Sequence, residues 1–273
     1  MELTNARRVA ARLEWRDAAG STNEELRRLA RAESLPHGTV VATANQTAGR
    51  GRLQREWITP PGTALAISVL LRGVGQRGLA PSWIPLLAGG AVTEALQPRV
   101  PAGLRVGVKW PNDVHVRDEA EAEAGLPGRK LCGILSELLS DGAIIVGMGV
   151  NVLQGESDLP TDRATSLRVI GAEVGGADTL DRPPGEALAD DLVAAIVGGL
   201  LDAASLAADH PDAARQRVRR HSLTLGSRVR VHLPGDEIVD GVAVGLDPDG
   251  ALEVDRATGG RLVVNAGDIE HLR

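Results

Sequence analysis

Phenylalanine and tyrosine are absent from the 273 residues, cysteine occurs once and lysine twice. The single Cys132 excludes an intramolecular disulfide framework and any multi-cysteine zinc or iron-sulfur site. No unbroken apolar run reaches the roughly 18 residues of a bilayer span, and no basic-then-apolar leader opens the chain. Membrane and secreted classes are therefore disfavoured, and the cytoplasm is the default compartment. Positive charge is also short: 30 Lys and Arg against 36 Asp and Glu leave a net −6, which argues against a polyanion binder that uses its whole surface.

What is present is Arg, Ala, Gly, Val and Leu in excess, a skew that marks the two lysines, Lys109 and Lys130, as positions where chemistry demanded the rarer residue. Two leftover surface lysines are the bland alternative; their neighbourhoods, VKWPND and GRKLCGIL, weigh against it. The length suits one or two domains. Helices are expected over Thr4 to Leu13, over Ser21 to Glu33 with a capping box at Ser21 or Thr22 with Glu24 or Glu25, over Pro81 to Gln97, Gly185 to Ala208 and Pro211 to Arg220. Strands are expected at 13–16, 39–45, 63–71, 105–110, 114–116, 130–139 and 143–150, with 118–128 an exposed acidic connector. After Ser222, short apolar runs separated by Pro-Gly, Pro-Asp-Gly and Gly-Gly turns predict a small barrel of about 50 residues.

Between the second and third strands runs a long polar loop containing Gly49-Arg50-Gly51-Arg52-Leu53-Gln54-Arg55-Glu56-Trp57. Its guanidiniums can grip carboxylate or phosphate bidentately. They also repel one another, so an empty loop is expected to be mobile and an anion to order it. A solvated basic loop and a single-strand nucleic-acid patch are the alternatives, and Trp57 alone decides neither. Lys109-Trp110-Pro111-Asn112-Asp113 puts a cation, an amide and a carboxylate on one turn, which suits a magnesium-phosphate site or an ordinary strand corner. Lys130 opens an apolar strand, where a cation needs an anion to meet it, and Gly133 lets a ligand approach. Cys132 has no histidine partner in sequence and reads as a packing residue.

Five stretches together resemble biotin protein ligases in order and approximate spacing. They are Ser21-Thr22-Asn23, Gln46 through Trp57, KWPND at 109–113, GRKLCGIL at 128–135 and GMGVN at 147–151, and the resemblance runs from about residue 13 to the C-terminus. Two positions depart from the family habit: Gln54, where glycine is usual, and Cys132, where alanine is commoner. The fold implied is α+β: a mixed sheet flanked by helices, shared with lipoate ligases, over 1–221, then a small β-barrel of the Src-homology-3 type over 222–273.

The chemistry implied is a two-step ligation in which biotin and ATP give biotinoyl-5′-AMP, whose acyl group passes to a lysine of a biotin carboxyl carrier domain of an acyl-CoA carboxylase. By the same resemblance, Lys130, Arg50 and Arg52 are catalytic. Ser21, Thr22, Asn23, Gln46, Gly49, Arg50, Gly51, Arg52, Lys130, Gly133 and Gly149 bind biotin. Arg52, Arg55, Trp57, Lys109, Asn112, Asp113, Lys130 and Asn151 bind ATP, with Trp57 stacked on adenine and magnesium near Asn112 or Asp113. About 20 residues precede Ser21, too few for the helix-turn-helix arm of some family members. The expectation is thus a cytoplasmic monomer or weak homodimer without DNA binding. The rival readings are a lipoate or octanoate ligase or transferase on the same scaffold, and a non-catalytic nucleic-acid binder using Arg50, Arg52 and Arg55, which the acidic total and the lack of a second basic cluster apart from Arg215 to Arg220 disfavour.

Overall fold

The structure is a computed structural model that describes residues 1–52, 55–75, 78–233, 237–265 and 268–272. Its larger sheet is built at its centre on largely apolar runs. β2 (Thr39–Thr43) and β5 (Ala64–Leu71) are buried along their whole length, as strands covered on both faces must be. The order is β1-β2-β5-β9-β8-β7-β6, with β1 (Arg12–Trp15), β6 (Arg105–Lys109), β7 (Asp113–Arg117), β8 (Arg129–Leu138) and β9 (Ile144–Asn151). β1 runs parallel to β2 and the other pairs are antiparallel, so the sheet is mixed.

Strand alternation divides the sheet into two faces. Val40, Ala42, Leu65, Ile67, Val69, Ile134 and Met148 join the main core with α3 (Ile84–Leu96) and α5 (Gly185–Asp209). On the other face, α2 (Thr22–Ala32) buries Leu26 and Leu29 against Val41, Leu70 and Ile145. α5 is long and apolar enough to cross a membrane by length and composition, although acidic residues interrupt its apolar run. Here its apolar face forms core, and its buried Asp190 accepts the N–H groups of Asn5 and Ala6 at the start of α1 (Thr4–Val9).

Two local expectations change. The capping box on α2 does not form: Ser21 is the N-cap but makes no side-chain cap bond, and the Thr22 N–H goes to Gln46 Oε1 at 2.9 Å. Glu24 and Glu25 turn to Arg27 and Arg28 instead. A capping box does form in the connector, where Asp118 and Glu121 start the short α4 (Glu119–Glu123).

The C-terminal part is a five-stranded antiparallel sheet of order β13-β12-β11-β10-β14, with β10 (Arg228–His232), β11 (Ile238–Leu246), β12 (Leu252–Arg256), β13 (Arg261–Val264) and β14 (Asp268–His271). The fifth strand is additional to those read from sequence. No ladder joins β13 to β14 among the described residues, so the sheet is open where a closed barrel was expected.

α6 (Pro211–His221) ties this part to the core. Arg217 forks onto Glu94 of α3, and His221 Nε2 lies 2.7 Å from the same carboxylate. Arg215 pairs with Asp212 and lies over Trp83, and Arg219 donates to the Leu246 carbonyl. The late basic cluster is thus largely spent on structure.

Arg217, and then His221, hold the Glu94 carboxyl below its ordinary pKa of 4.5 against the opposing effect of burial. Stability gained this way is present above 4.5 and is lost as pH falls through the lowered folded value. The Glu94 side chain is 36% exposed, so screening keeps the loss in Glu94→Gln near about 1 kcal/mol at pH 7. Urea midpoints should differ less between variant and parent at pH 3 than at pH 7, and an unchanged difference would refute the assignment.

Candidate active site

Register places one cross-strand row on the α2 face: Thr43, Ala66, Gly149, Gly133, Asp113 and Lys109 on β2, β5, β9, β8, β7 and β6. The next row runs Val41, Ser68, Gly147 and Leu135. Three glycines at the centre leave a floor without side chains. Polar groups gather at its two ends, and the two ends differ in chemistry.

At the α2 end neutral groups predominate, and the charged Glu137 and Arg27 are paired with each other. Ser68 Oγ lies 2.8 Å from Thr22 Oγ1 and 2.6 Å from Asn23 Oδ1, Thr22 Oγ1 lies 3.2 Å from Gln46 Oε1, and Asn23 Nδ2 donates to Glu137 Oε1 at 2.7 Å. Arg27 in turn pairs with Glu137. Ser21, Thr22 and Asn23 are buried here, and Gln46 meets them from the loop. Ser68 and Glu137 were not among the sequence candidates. Ser68 could have been found as the one hydroxyl in the run ALAISVLL, where a buried polar group needs a partner.

At the other end the groups are charged. Lys130 Nζ lies 2.8 Å from Asp113 Oδ1, and His115 Nε2 lies 4.0 Å from Asp113 Oδ2. Burial pushes the Asp113 carboxyl up, but His115 and the Lys130 ammonium outweigh it and hold the carboxyl at about 2. Burial depresses His115, whose Nδ1 lies 3.1 Å from the Gly128 carbonyl. Burial raises the Cys132 thiol far above its usual range, so it stays protonated.

The backbone of Lys130 is fixed as firmly as its side chain. Its N–H donates to Arg163 O at 2.8 Å and its carbonyl accepts from Thr165 N at 2.9 Å, while His115 is its register partner on β7.

The arginine loop folds as a hairpin of β3 (Gly49–Arg50) and β4 (Glu56–Trp57), closed by Gly51 N donating to Arg55 O at 2.6 Å. Gly49 is needed where the chain crosses Gln46 and Trp57, since a Cβ there would overlap both. Arg52 Nη1 donates to Asn112 Oδ1 at 2.9 Å, Arg50 lies 3.6 Å from Glu24, and Arg55 is exposed. The mutual repulsion expected of the guanidiniums is therefore relieved by protein acceptors. Leu53 and Gln54, including the Gln54 departure, lie outside the described residues.

Trp57 covers the centre of the row. Its indole lies on the glycine floor: a Cβ at Gly149 would come 2.7 Å from Cε2, and one at Gly133 would come 3.2 Å from Cζ3. Lys130 Nζ is 5.8 Å from the ring centroid. Asn151 is buried, with Nδ2 donating to Thr165 O and Oδ1 accepting from Gln154 Nε2. Lys109 shares the row with Asp113, and its Nζ donates to Ile269 O at 3.3 Å.

Asn112 and Asp113 do not fit a protein-held magnesium ion. The Asn112 oxygen accepts from Arg52, and the Asp113 oxygens face Lys130 and His115. Among the described residues no group of three or more His, Cys, Asp or Glu could hold a metal.

Comparison with known proteins identifies the family. The profile of the biotin/lipoate A/B protein ligase family matches residues 17–154, and that of the biotin protein ligase C-terminal domain matches residues 224–272. The chain is similar to a biotin-[acetyl-CoA-carboxylase] ligase of Mycobacterium tuberculosis H37Rv, 38% identical over 260 residues that cover 93% of this chain and 86% of that one. It is also similar to a bifunctional ligase/repressor of Escherichia coli K12, 34% identical over 56% of this chain and 46% of that one. Among solved structures it resembles the biotin protein ligase of Aquifex aeolicus in complex with biotin and ATP, with TM-score 0.69, 26% identity, and coverage of 96% of this chain and 99% of that one.

The contact between indole and floor gives a direct test. Gly149→Ala should lift Trp57 off the sheet and shift its emission to longer wavelength, at a cost of about 1–3 kcal/mol for overpacking. The change should vanish in Trp57→Leu, which removes the reporter; an unaltered spectrum in Gly149→Ala would show that the ring does not rest there.

Proposed function

The chain belongs to the biotin/lipoate A/B protein ligase family, and from that premise we propose that it is an ATP-dependent biotin protein ligase acting on the carrier domain of an acyl-CoA carboxylase. The observation that carries the reading is the contrast between the two ends of the glycine floor. The neutral cluster of Ser21, Thr22, Asn23, Gln46 and Ser68 matches a ureido ring, which offers N–H donors and a carbonyl acceptor but no charge. Lys130 and Arg52 at the opposite end match a carboxylate and a phosphate. A lipoate or octanoate ligase would want apolar groups where this cluster stands.

In the first step a biotin carboxylate oxygen bonds to the α-phosphorus and the bond to pyrophosphate breaks. Two anions must approach each other, so the site's task is to supply positive charge. Lys130 stands at the charged end beside the floor, where Asp113 keeps its ammonium paired. Arg50 and Arg52 hold the carboxylate and phosphates, with Gly49 and Gly51 letting the loop backbone come close. Gly133 and Gly149 give the ring room once Trp57 leaves the floor for the nucleotide side. Arg55 and Lys109 add charge near the triphosphate, Asn112 orients Arg52, and Asn151 braces the segment behind Lys130. Magnesium arrives with the triphosphate as part of the substrate.

In the second step the carrier lysine amine attacks the acyl carbonyl, AMP leaves, and the amine gives up a proton. The division at 221/222, a cytoplasmic location and a monomer or weak homodimer complete the reading.

Incubation with biotin, ATP and a carrier domain should yield biotinylated carrier, and lipoate or octanoate transferred at comparable efficiency would overturn the substrate. Lys130→Ala should lower pyrophosphate release by on the order of 10²-fold or more, as for loss of a transition-state charge contact, and Lys109→Arg should be milder than Lys130→Arg. Release at the parent rate in Lys130→Ala would remove the role given to that lysine. Arg52→Gly should still form adenylate but release it faster, seen as modification of bystander lysines.

A further inference from the structure

β6 is the edge strand of the larger sheet, so the outer side of its last residues is completed by the C-terminal part of the chain. Leu223 N donates to Val108 O at 2.8 Å, Trp110 N donates to Thr224 Oγ1 at 3.0 Å, and Lys109 Nζ reaches Ile269 O. The strongest attachment is the turn between β11 and β12. Three successive carbonyls there, of Pro248, Asp249 and Gly250, accept from Trp83 Nε1 at 2.8 Å, Ser82 Oγ at 2.5 Å and Trp110 Nε1 at 3.1 Å. The turn is preset by Asp247 Oδ1, which accepts from Asp249 N and Ala251 N. Gly250 has φ +79°, and a Cβ there would come 3.3 Å from the Trp83 ring.

We propose that this turn, acting through the Trp110 indole, positions Arg52. Trp110 begins the Trp110-Pro111-Asn112 corner and is buried at 4% exposure. Asn112 Nδ2 donates to Ile134 O at 2.6 Å, which leaves its oxygen turned to Arg52. The guanidinium therefore stands where the corner stands, and the corner is held on one side by β8, where Ile134 N also donates to Asn112 O at 3.0 Å, and on the other by the C-terminal sheet through Trp110. An anchor is needed because the space beside it is not filled. A cavity of about 350 Å³ is lined by Trp110, Asn112, Arg52, Gly250, Ser136 and Asn265, and the buried Ser136 Oγ on its wall has no hydrogen-bond partner. A corner without the indole bond has room to shift into it, taking the Asn112 oxygen away from Arg52. Trp110 is a positioning residue, and the inference rests on the ligase reading only for its activity readout.

Trp110→Phe keeps the ring and removes the N–H. In the free protein, amide exchange at Gly51 and Arg55, which close the arginine loop, should quicken by about tenfold while β9 amides stay unchanged. Trp83→Phe, which removes the donor to Pro248 and touches neither Asn112 nor Arg52, should act in the same direction and serves if Trp110→Phe does not fold. In enzyme assays Trp110→Phe should raise adenylate leakage, and combined with Arg52→Gly it should add less than about twofold, because its effect passes through Arg52. Unchanged loop exchange in both variants, or leakage that multiplies fully in the double variant, would overturn the proposal. If the parent formed no adenylate, the ligase reading would fall while exchange still decided the positioning.

Discussion

Gly133, Gly147 and Gly149 remove three side chains from the centre of one sheet face, and a sheet cannot leave such a hollow bare. Glycine weakens a strand interior, yet here it sits between β5, buried throughout, and the apolar register partners of the opposite face. The hollow is covered by groups that are not part of the sheet. Asn23 comes down on Gly147 so closely that a Cβ would overlap its amide, and the Trp57 indole lies over Gly149 and Gly133. Both belong to segments that the sheet does not itself fix: the first turn of α2 and the arginine hairpin. A ligand entering the trough displaces these groups rather than empty space, so its binding is coupled from the outset to the loop that carries Arg50 and Arg52.

The chain's two lysines share a row or a strand with that floor. Lys130 enters a buried strand at no net charge because Asp113 is 2.8 Å away, and Asp113 stays ionised because Lys130 and His115 outweigh its burial. The pair is thus poised: the ammonium has a partner when the site is empty, and a more strongly charged one when carboxylate and phosphate arrive. The neighbouring Cys132 contributes packing and no reactivity, since a thiol in that apolar surrounding does not ionise.

Sequence patterning reached the sheet because its central strands are continuous apolar runs, and it reached Lys130, Asp113 and the polar residues at 21–23 because motif spacing brought them together. It missed what only tertiary contact decides. A Ser-x-x-Glu pattern predicted a capping box at α2, but Gln46, 24 residues away, took the Thr22 N–H. Asn151 lies in a conspicuous Gly-Met-Gly-Val-Asn run, and nothing local announces that both ends of its amide serve Thr165 O and Gln154. Trp57 could have faced solvent, base or sheet, and nothing local distinguishes these. The C-terminal turns were legible as turns, whereas closure into a barrel depends on edge pairing, and the strands β13 and β14 remain the two edges.

The three cations assigned to the carboxylate and phosphates already hold protein acceptors: Arg50 has Glu24 of α2, Arg52 has Asn112 and Lys130 has Asp113. The consequence is selective. An incoming anion gains only the difference between its own contact and the one it replaces, and a surface pair such as Arg50 with Glu24 is worth little to begin with. Lys130 is the costliest to recruit, since leaving Asp113 strands a buried carboxylate beside His115 unless the ligand stays near enough to keep the ammonium between the two. A lone phosphate or a lone carboxylate makes up one such exchange at most. A ligand that presents both, with a neutral hydrogen-bonding ring seated on Thr22, Asn23 and Ser68 to fix its distance from Lys130, makes them together, and discrimination then arises from the separation of the two ends of the floor rather than from the strength of either.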